Sequence, residues 1–407
     1  MAETRPTFDV DDPLLARAAW SRIAEPGDQV AGALVAHLGA GDALAWLHEA
    51  VAGKSPLVPE VLAQRQGRPS VDHVLRAVER WRGRLATLDP ARELRALDRL
   101  GGTLLIPGDP RWPTAVDELG AAAPLALWVR GETDLAGLSR RSVALVGARA
   151  CTDYGRHVAA DLASGLVDRQ FTVVSGGAYG IDAAAHRGAI AARGRTVAFL
   201  AGGVDRLYPA GNTDLLQAVL DDGSLVGEVP PGSVPSRVRF LQRNRLIAAF
   251  SRATVVVEAA WRSGALSTAT HATALLRPVG AVPGPVTSMA SGGCHQLLRD
   301  AKAVCVTDAD EVAELAGHAG ADAHAPRPGR PAPQDDLDPL GTSVWDALPL
   351  RAYAAVDSVA RVAGLGLEET LGGLGHLELV GLAEQSGGRW RRAGRSSPGV
   401  GSAARRR

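Results

Sequence analysis

The chain has 407 residues, 46% of them hydrophobic and 22% charged, which is the composition of a globular protein and excludes a wholly disordered one. At roughly 100–200 residues per domain, this length holds about two to four domains. Lys+Arg and Asp+Glu both number 44, so the formal net charge is zero and any polyanion must be held by a local basic patch, not a global field. Lys54 and Lys302 are the only lysines, so the positive charge is almost all guanidinium. The three cysteines (Cys151, Cys294, Cys305) are too few for a disulfide framework and point to a reducing, cytoplasmic compartment. No apolar run marks a signal peptide, and none approaches the ~20 residues of a membrane helix.

Taken in chain order, residues 8 to about 98 read as short helices with apolar positions three and four apart, broken at 25–28 and 39–42 by glycine turns. This predicts an N-terminal helical domain over 1–98, a helix-hairpin-helix or SAM-like module. Such a module either binds DNA backbone or serves as packing. Residues 99–316 are expected to form an α/β core. Apolar runs at 142–146, 171–174, 196–200, 225–226, 254–257, 279–282 and 303–306 alternate with helix-length segments. Strands this apolar, separated by helices, predict a doubly wound, Rossmann-like parallel sheet covered on both faces. Residues 317–338, rich in Ala, Pro and Gly, read as a linker. Residues 339–393 read as three helices and a two-strand wing, a winged-helix-like domain. The Arg/Gly/Ser-rich stretch 394–407 reads as a basic disordered tail.

In a doubly wound sheet, ligands sit at the carboxyl ends of the strands, beside helix N-termini. Three such loops are rich in glycine here: Val146-Gly147-Ala148-Arg149, Ser175-Gly176-Gly177-Ala178-Tyr179-Gly180-Ile181-Asp182, and Ala201-Gly202-Gly203-Val204-Asp205, the last followed by Tyr208-Pro209 and Asn212. Glycine lets backbone amides approach an anion closely, and helix N-termini favour negative charge, so together the loops suit a phosphate-binding rim. Next, Arg237, Arg239, Arg243, Arg245 and Arg252 fall within sixteen residues with no acid between them. Arginine forks onto phosphate, and Phe240 among them can stack a base. Ser263, Gly264 and Thr268 lie where a strand passes into a helix. Their hydroxyls and free amides suit phosphate, and a simple N-cap by Ser263 is the alternative.

The segments SVALVGARACTDYG, VVSGGAYGIDAAAHRGAI, TVAFLAGGVDRLYPAGN, FLQRNRLIAAFSRATVVVEAAWRSGALSTATHA and VPGPVTSMASGGCHQLLRDAKAV, in this order, resemble the DNA-processing protein DprA (Smf) family from about Asp109 to Val306. The resemblance implies a protein that binds single-stranded DNA, works beside single-strand binding protein, and loads RecA during natural transformation and recombination. It also implies a homodimer formed through the Rossmann-like domain, with no catalysis and no cofactor. Carried over by motif position, Gly147, Arg149, Ser175, Gly176, Gly177, Arg243, Asn244 and Arg245 line the DNA pocket. Arg237 and Phe240 take the basic and base-contacting positions, and Ser263, Gly264 and Thr268 match the SG-x-x-x-T motif. Leu241 stands where the family usually has proline, Gly177 replaces a bulkier residue, and Cys294-His295 replaces a Gly-Asn-like pair.

Other chemistries find less support. No G-x-G-x-x-G follows the first core strand, so a nicotinamide dinucleotide fingerprint is absent. Gly53-Lys54-Ser55 ends like a P-loop, but His48 takes the place of its first glycine. No cysteine–histidine cluster has zinc spacing. Asp182 and His186, four apart on one predicted helix, read as a hydrogen-bonded pair at the helix start, with acid/base partnership as the alternative. The competing function is a nucleotide-binding or nucleoside-monophosphate-cleaving enzyme on a related fold. Its PGG-x-GT loop is missing, and Glu258, the acid near the SG-x-x-x-T motif, is expected to anchor an arginine. In the C-terminal domain the third helix carries Glu368, Glu369 and Glu378 and no Arg or Lys. That favours protein interaction or regulation over duplex reading.

Overall fold

The computed structural model describes residues 8–56, 71–318, 320–323 and 336–393. The chain divides into two compact units, Met1–His324 and Ala325–Arg407. The tail expected at 394–407, and residues 324–335 of the expected linker, lie outside the described residues.

The first unit opens with helices α1 (Pro13–Ile23), α2 (Gln29–Leu38), α3 (Ala40–Val51), α4 (Val71–Leu85) and α5 (Pro90–Asp98). Asp12, Asp28 and Asp89 cap α1, α2 and α5 by accepting hydrogen bonds from first-turn amides. The helices close around Trp20 and Trp81, whose rings meet edge to face at 5.4 Å.

A nine-stranded sheet follows: β1 (Gly102–Leu105), β2 (Leu127–Gly131), β3 (Ser142–Val146), β4 (Thr172–Ser175), β5 (Thr196–Leu200), β6 (Ser224–Gly227), β7 (Ala253–Val256), β8 (Val279–Ala281) and β9 (Val304–Cys305). The spatial order is β1-β2-β6-β5-β4-β3-β7-β8-β9. From β6 to β9 every pairing is parallel. The expectation of a purely parallel sheet needs correction at one edge. There β2 runs antiparallel to β6, and β1 antiparallel to β2. These two strands were not expected. Each is at most five residues long and precedes the βα repeat, so neither carries the flanking helices that mark the others.

Helices cover both faces. The core helices are α6 (Leu135–Arg140), α7 (Asp153–Asp168), α8 (Ile181–Ala191), α9 (Thr213–Asp222), α10 (Arg237–Phe250), α11 (Ala265–Ala274), α12 (Gly292–Arg299) and α13 (Ala309–Ala316). Alternate residues of β3 show the two layers. Val143 and Leu145 pack with Leu162, Leu166 and Ala185, while Ala144 and Val146 pack with Ile247, Phe250 and Ala269. Phe199 and Phe250 meet at 5.3 Å in the second layer.

The chain winds β3→β4→β5→β6 in one direction and then returns through α10 to place β7 on the other side of β3. The winding therefore reverses between β3 and β7. At such a reversal the loops leaving the two strands part and open a crevice at their carboxyl ends.

The second unit holds α14 (Pro339–Ala347), α15 (Val356–Ala363), α16 (Leu367–Leu379) and a three-stranded antiparallel sheet ordered β10-β12-β11 (Ala354–Ala355, Arg389–Arg392, Ala383–Ser386). Its core is Val344, Leu348, Val359, Leu374, Leu377 and Trp390. β10 was not expected; it is two residues long. Among the described residues, no single helix is long and apolar enough to cross a membrane.

Candidate nucleic-acid interface

The crevice at the reversal point is a groove of about 840 Å³. One wall is the β3 loop, with Gly147, Ala148, Arg149 and Ala150. The opposite wall is the β7 loop and the start of α11, with Arg262, Ser263, Gly264 and Thr268. The first turns of α10 form a third side through Arg237, Phe240, Arg243 and Asn244, and Asp182 of α8 lies in the floor.

Backbone geometry explains the glycines. At Gly180 φ is +78°, and a Cβ would lie 2.2 Å from the Ala148 carbonyl oxygen, so only glycine lets the β4 loop pass this close to the β3 loop. A Cβ on Gly176 would lie 2.1 Å from the Arg243 guanidinium, so this glycine makes room for an arginine.

Helix α10 begins at Ser236, whose hydroxyl accepts from the Arg239 amide. The helical period then sends its arginines in different directions. Arg237 stays exposed on the groove. Arg239 turns to the N-terminal helices and pairs with Glu25 at 2.9 Å, a carboxylate it shares with Arg84. Arg243 goes inward and is 5% exposed. One of its nitrogens donates to the carbonyls of Gly176 (2.6 Å) and Phe199 (2.5 Å). Burial lowers its pKa to about 10; the Asp182 carboxylate opposes that shift and the Arg149 guanidinium adds to it. It remains charged at neutral pH and so brings positive charge to the groove from beneath. Arg245 is 2% exposed and lies away from the groove. It forks onto both carboxylate oxygens of Glu228 (2.5 and 2.7 Å) and donates to the Ala122 carbonyl. Arg252, beyond the helix, is exposed and does not line the groove.

Phe240 is the centre of an aromatic and cationic cluster. The Arg149 guanidinium carbon lies 4.7 Å from its ring centre, that of Arg243 lies 5.9 Å away, and the half-exposed Tyr208 ring lies 6.0 Å away at 49°. Opposite, Asn244 donates to the Gly264 carbonyl at 3.2 Å, and the Ser263 hydroxyl accepts from the Ala265 amide.

Of the residues expected at the site, the structure brings nine to the groove wall: Gly147, Arg149, Arg237, Phe240, Arg243, Asn244, Ser263, Gly264 and Thr268. Ser175, Gly176 and Gly177 lie behind it. The Ser175 hydroxyl donates to the Leu145 carbonyl, Gly176 accepts from Arg243, and Gly177 accepts from Asn212 at φ +68°. Sequence reasoning did not place Arg262 at the site, and it put Asp182 and Tyr208 in or beside the glycine loops without singling them out as binding residues. Arg262 directly precedes the Ser263 motif, and that adjacency was the available signal. Asp182 and His186 bond to separate partners. Asp182 accepts from the Ala178 amide at 3.4 Å, and burial raises its pKa against the pull of Arg243. The His186 Nδ1 meets the Thr196 hydroxyl at 2.7 Å. Among the described residues Glu258 anchors no arginine; its carboxylate accepts from the amide and hydroxyl of Thr152. Cys294 is buried and His295 bonds the Gly284 carbonyl. No group of three or more His, Cys, Asp or Glu able to hold a metal occurs among the described residues.

The family described as DNA recombination-mediator protein A matches residues 103–317 of this chain. A Mycobacterium tuberculosis chain carrying the DprA name is 46% identical, with 98% of this chain and 99% of that one aligned. Protein Smf of Synechocystis is 30% identical over 76% of this chain and 85% of its own. The X-ray structure of DNA processing protein A from Streptococcus pneumoniae aligns with a TM-score of 0.58 and 27% identity, covering 76% of this chain and 99% of that one. By these matches the chain belongs to the DprA (Smf) family, with a DNA-processing role in recombination.

Proposed function

We propose that this protein binds single-stranded DNA in the groove between β3 and β7 and delivers it to RecA. The observation that carries the reading is the cluster of Phe240, Tyr208 and Arg149 on the groove wall, flanked by Arg237 and Arg262. Guanidinium groups take phosphates, and an aromatic face takes bases without regard to sequence. A base must be unstacked to reach Phe240, so single strands are preferred over duplex.

Family membership supports the remainder of this reading. Two protomers join through their Rossmann-like domains and present two grooves, single-strand binding protein is displaced or accompanied, and incoming strands are protected until RecA is loaded in the cytoplasm. Binding and loading need no nucleotide, no cofactor and no catalysis. In this organisation residues 1–98 form the helical domain, 99–316 the DNA-binding core, 317–338 the linker, 339–393 a winged-helix-like domain that contacts protein, and 394–407 a basic tail.

Fluorescence anisotropy of a labelled ~35-nucleotide strand and its duplex, a length spanning several stacking footprints, tests this reading. Salt-sensitive, single-strand-preferring binding that Arg149→Ala/Arg237→Ala abolishes is expected. Equal binding of strand and duplex, or binding indifferent to the double change, overturns it.

A further inference from the structure

Arg149 sits on a loop that, left free, would swing. Three fixings prevent that. The Ala148 amide donates to the Glu258 carbonyl at 2.7 Å, and the Ala148 carbonyl accepts from the Ile181 amide at 3.2 Å. Three residues past Arg149, Thr152 binds the Glu258 side chain twice, through its amide to Oε2 (2.9 Å) and its hydroxyl to Oε1 (2.5 Å). The same hydroxyl accepts from the Gly155 amide and caps α7. Glu258 thus grips both ends of the segment 148–152, by its main chain at one end and its carboxylate at the other.

Two further features single out this contact. Glu258 is 1% exposed, yet the hydrogen bonds to its carboxylate come from Thr152, and among the described residues no arginine or lysine forms an ion pair with it. A buried carboxylate without a cation is costly and is rarely retained for packing alone. The neighbouring sequence also accommodates it: a Cβ on Gly155 would lie 2.3 Å from the carboxylate, and one on Gly147 would lie 2.8 Å from the Glu258 carbonyl. Gly155 clears space for the acid itself, and Gly147 lets its own loop pass close to the main chain of the same residue.

We infer that Glu258 and Thr152 are positioning residues for Arg149, holding its guanidinium over Phe240 so that it meets a phosphate while the ring takes a base. The inference rests on the DNA-binding reading of the groove. Neither residue touches DNA; both act through the loop. The gain is preorganisation: a loop already fixed loses less freedom when the strand arrives.

A double-mutant cycle on single-strand affinity tests it, using the full-length protein well below its melting temperature. Thr152→Val, which removes the hydroxyl and keeps the volume, is expected to weaken binding about five- to tenfold and to lower the salt slope towards that of Arg149→Ala. Thr152→Ser restores wild-type affinity and slope. The double variant Thr152→Val/Arg149→Ala binds no more weakly than Arg149→Ala, because the two changes remove the same contact. Multiplying losses, or wild-type affinity in Thr152→Val, overturns the positioning role while leaving the groove reading intact. Wild-type affinity in Arg149→Ala overturns the groove reading itself. If Thr152→Val fails to fold, Glu258→Gln, which keeps the main-chain grip and one acceptor oxygen, takes its place in the cycle with the same expected non-additivity.

Discussion

Arg149 and Phe240 meet with the guanidinium carbon 4.7 Å from the ring centre, although one belongs to the β3 loop and the other to the first turn of α10, 91 positions apart in the chain. One supplies a fixed charge and the other a flat apolar face, and the two should fail differently. Replacing Arg149 by Ala removes about one phosphate contact, so the slope of log affinity against log salt should fall by about 0.7. Replacing Phe240 by Ala should weaken single-strand affinity by about 1–3 kcal/mol and leave the salt slope unchanged. Salt titrations of both variants measure this. Equal slopes in the two variants would remove the division of labour.

Arg245 is the second case, and its environment predicts the opposite behaviour. It is paired with Glu228 in the interior, at 3% and 10% side-chain exposure. Arg245→Ala leaves the Glu228 carboxylate buried without its partner, at a cost of about 3–5 kcal/mol of stability. Denaturant unfolding should show this loss, and the salt slope of DNA binding by the folded fraction should stay at the wild-type value. A lowered slope with wild-type stability would place Arg245 on the DNA instead.

These two arginines show what the sequence reveals and what it withholds. The arginine run is visible as charge without acid. Its destinations are not, because they depend on partners far along the chain: Glu25 for Arg239, Glu228 for Arg245, and the Gly176 carbonyl for Arg243. The groove glycines are legible because tight strand-to-helix turns need them. β1 and β2 are not legible. The pairing of β2 to β6 and of β1 to β2 arises from tertiary contact at the edge, and four or five residues without clear alternation read equally well as a loop. Glu258 shows the limit most plainly: an acid beside arginines in sequence suggests an ion pair, whereas the fold turns it to a threonine 106 positions earlier.

The three cysteines should separate cleanly towards a thiol reagent. Cys305 is exposed, Cys151 is half-buried, and Cys294 is fully buried against the Val256 carbonyl, where burial pushes its thiol up to about 12. The thiolate is the reacting species, so Cys294 is protected twice, by access and by protonation. A disulfide-exchange titration of the native protein should consume Cys305 first and Cys151 more slowly, leaving Cys294 until denaturant is added. Early loss of three thiols would contradict the packing between α12 and β7.

His186 should set a pH limit on stability. It is fully buried on α8, bonded through Nδ1 to Thr196. Its Nε2 has no hydrogen-bond partner among the described residues. Burial, aided by the nearby Arg243 charge, lowers its pKa to about 3, whereas an unfolded histidine titrates near 6.5. Between those values the unfolded chain binds a proton that the folded chain refuses, so the unfolded state gains as pH falls. The stability owed to neutral His186 is complete above about pH 6.5 and is lost progressively down to about pH 3, with a slope of at most about 1.4 kcal/mol per unit from this one group. His186→Asn keeps a donor near the Nδ1 position and cannot titrate. Unfolding curves from pH 7.5 to 5 should therefore fall less steeply for the variant than for wild type, by up to one proton's worth of slope. Parallel curves would mean that other groups carry the acid sensitivity and that His186 is protonated inside the fold.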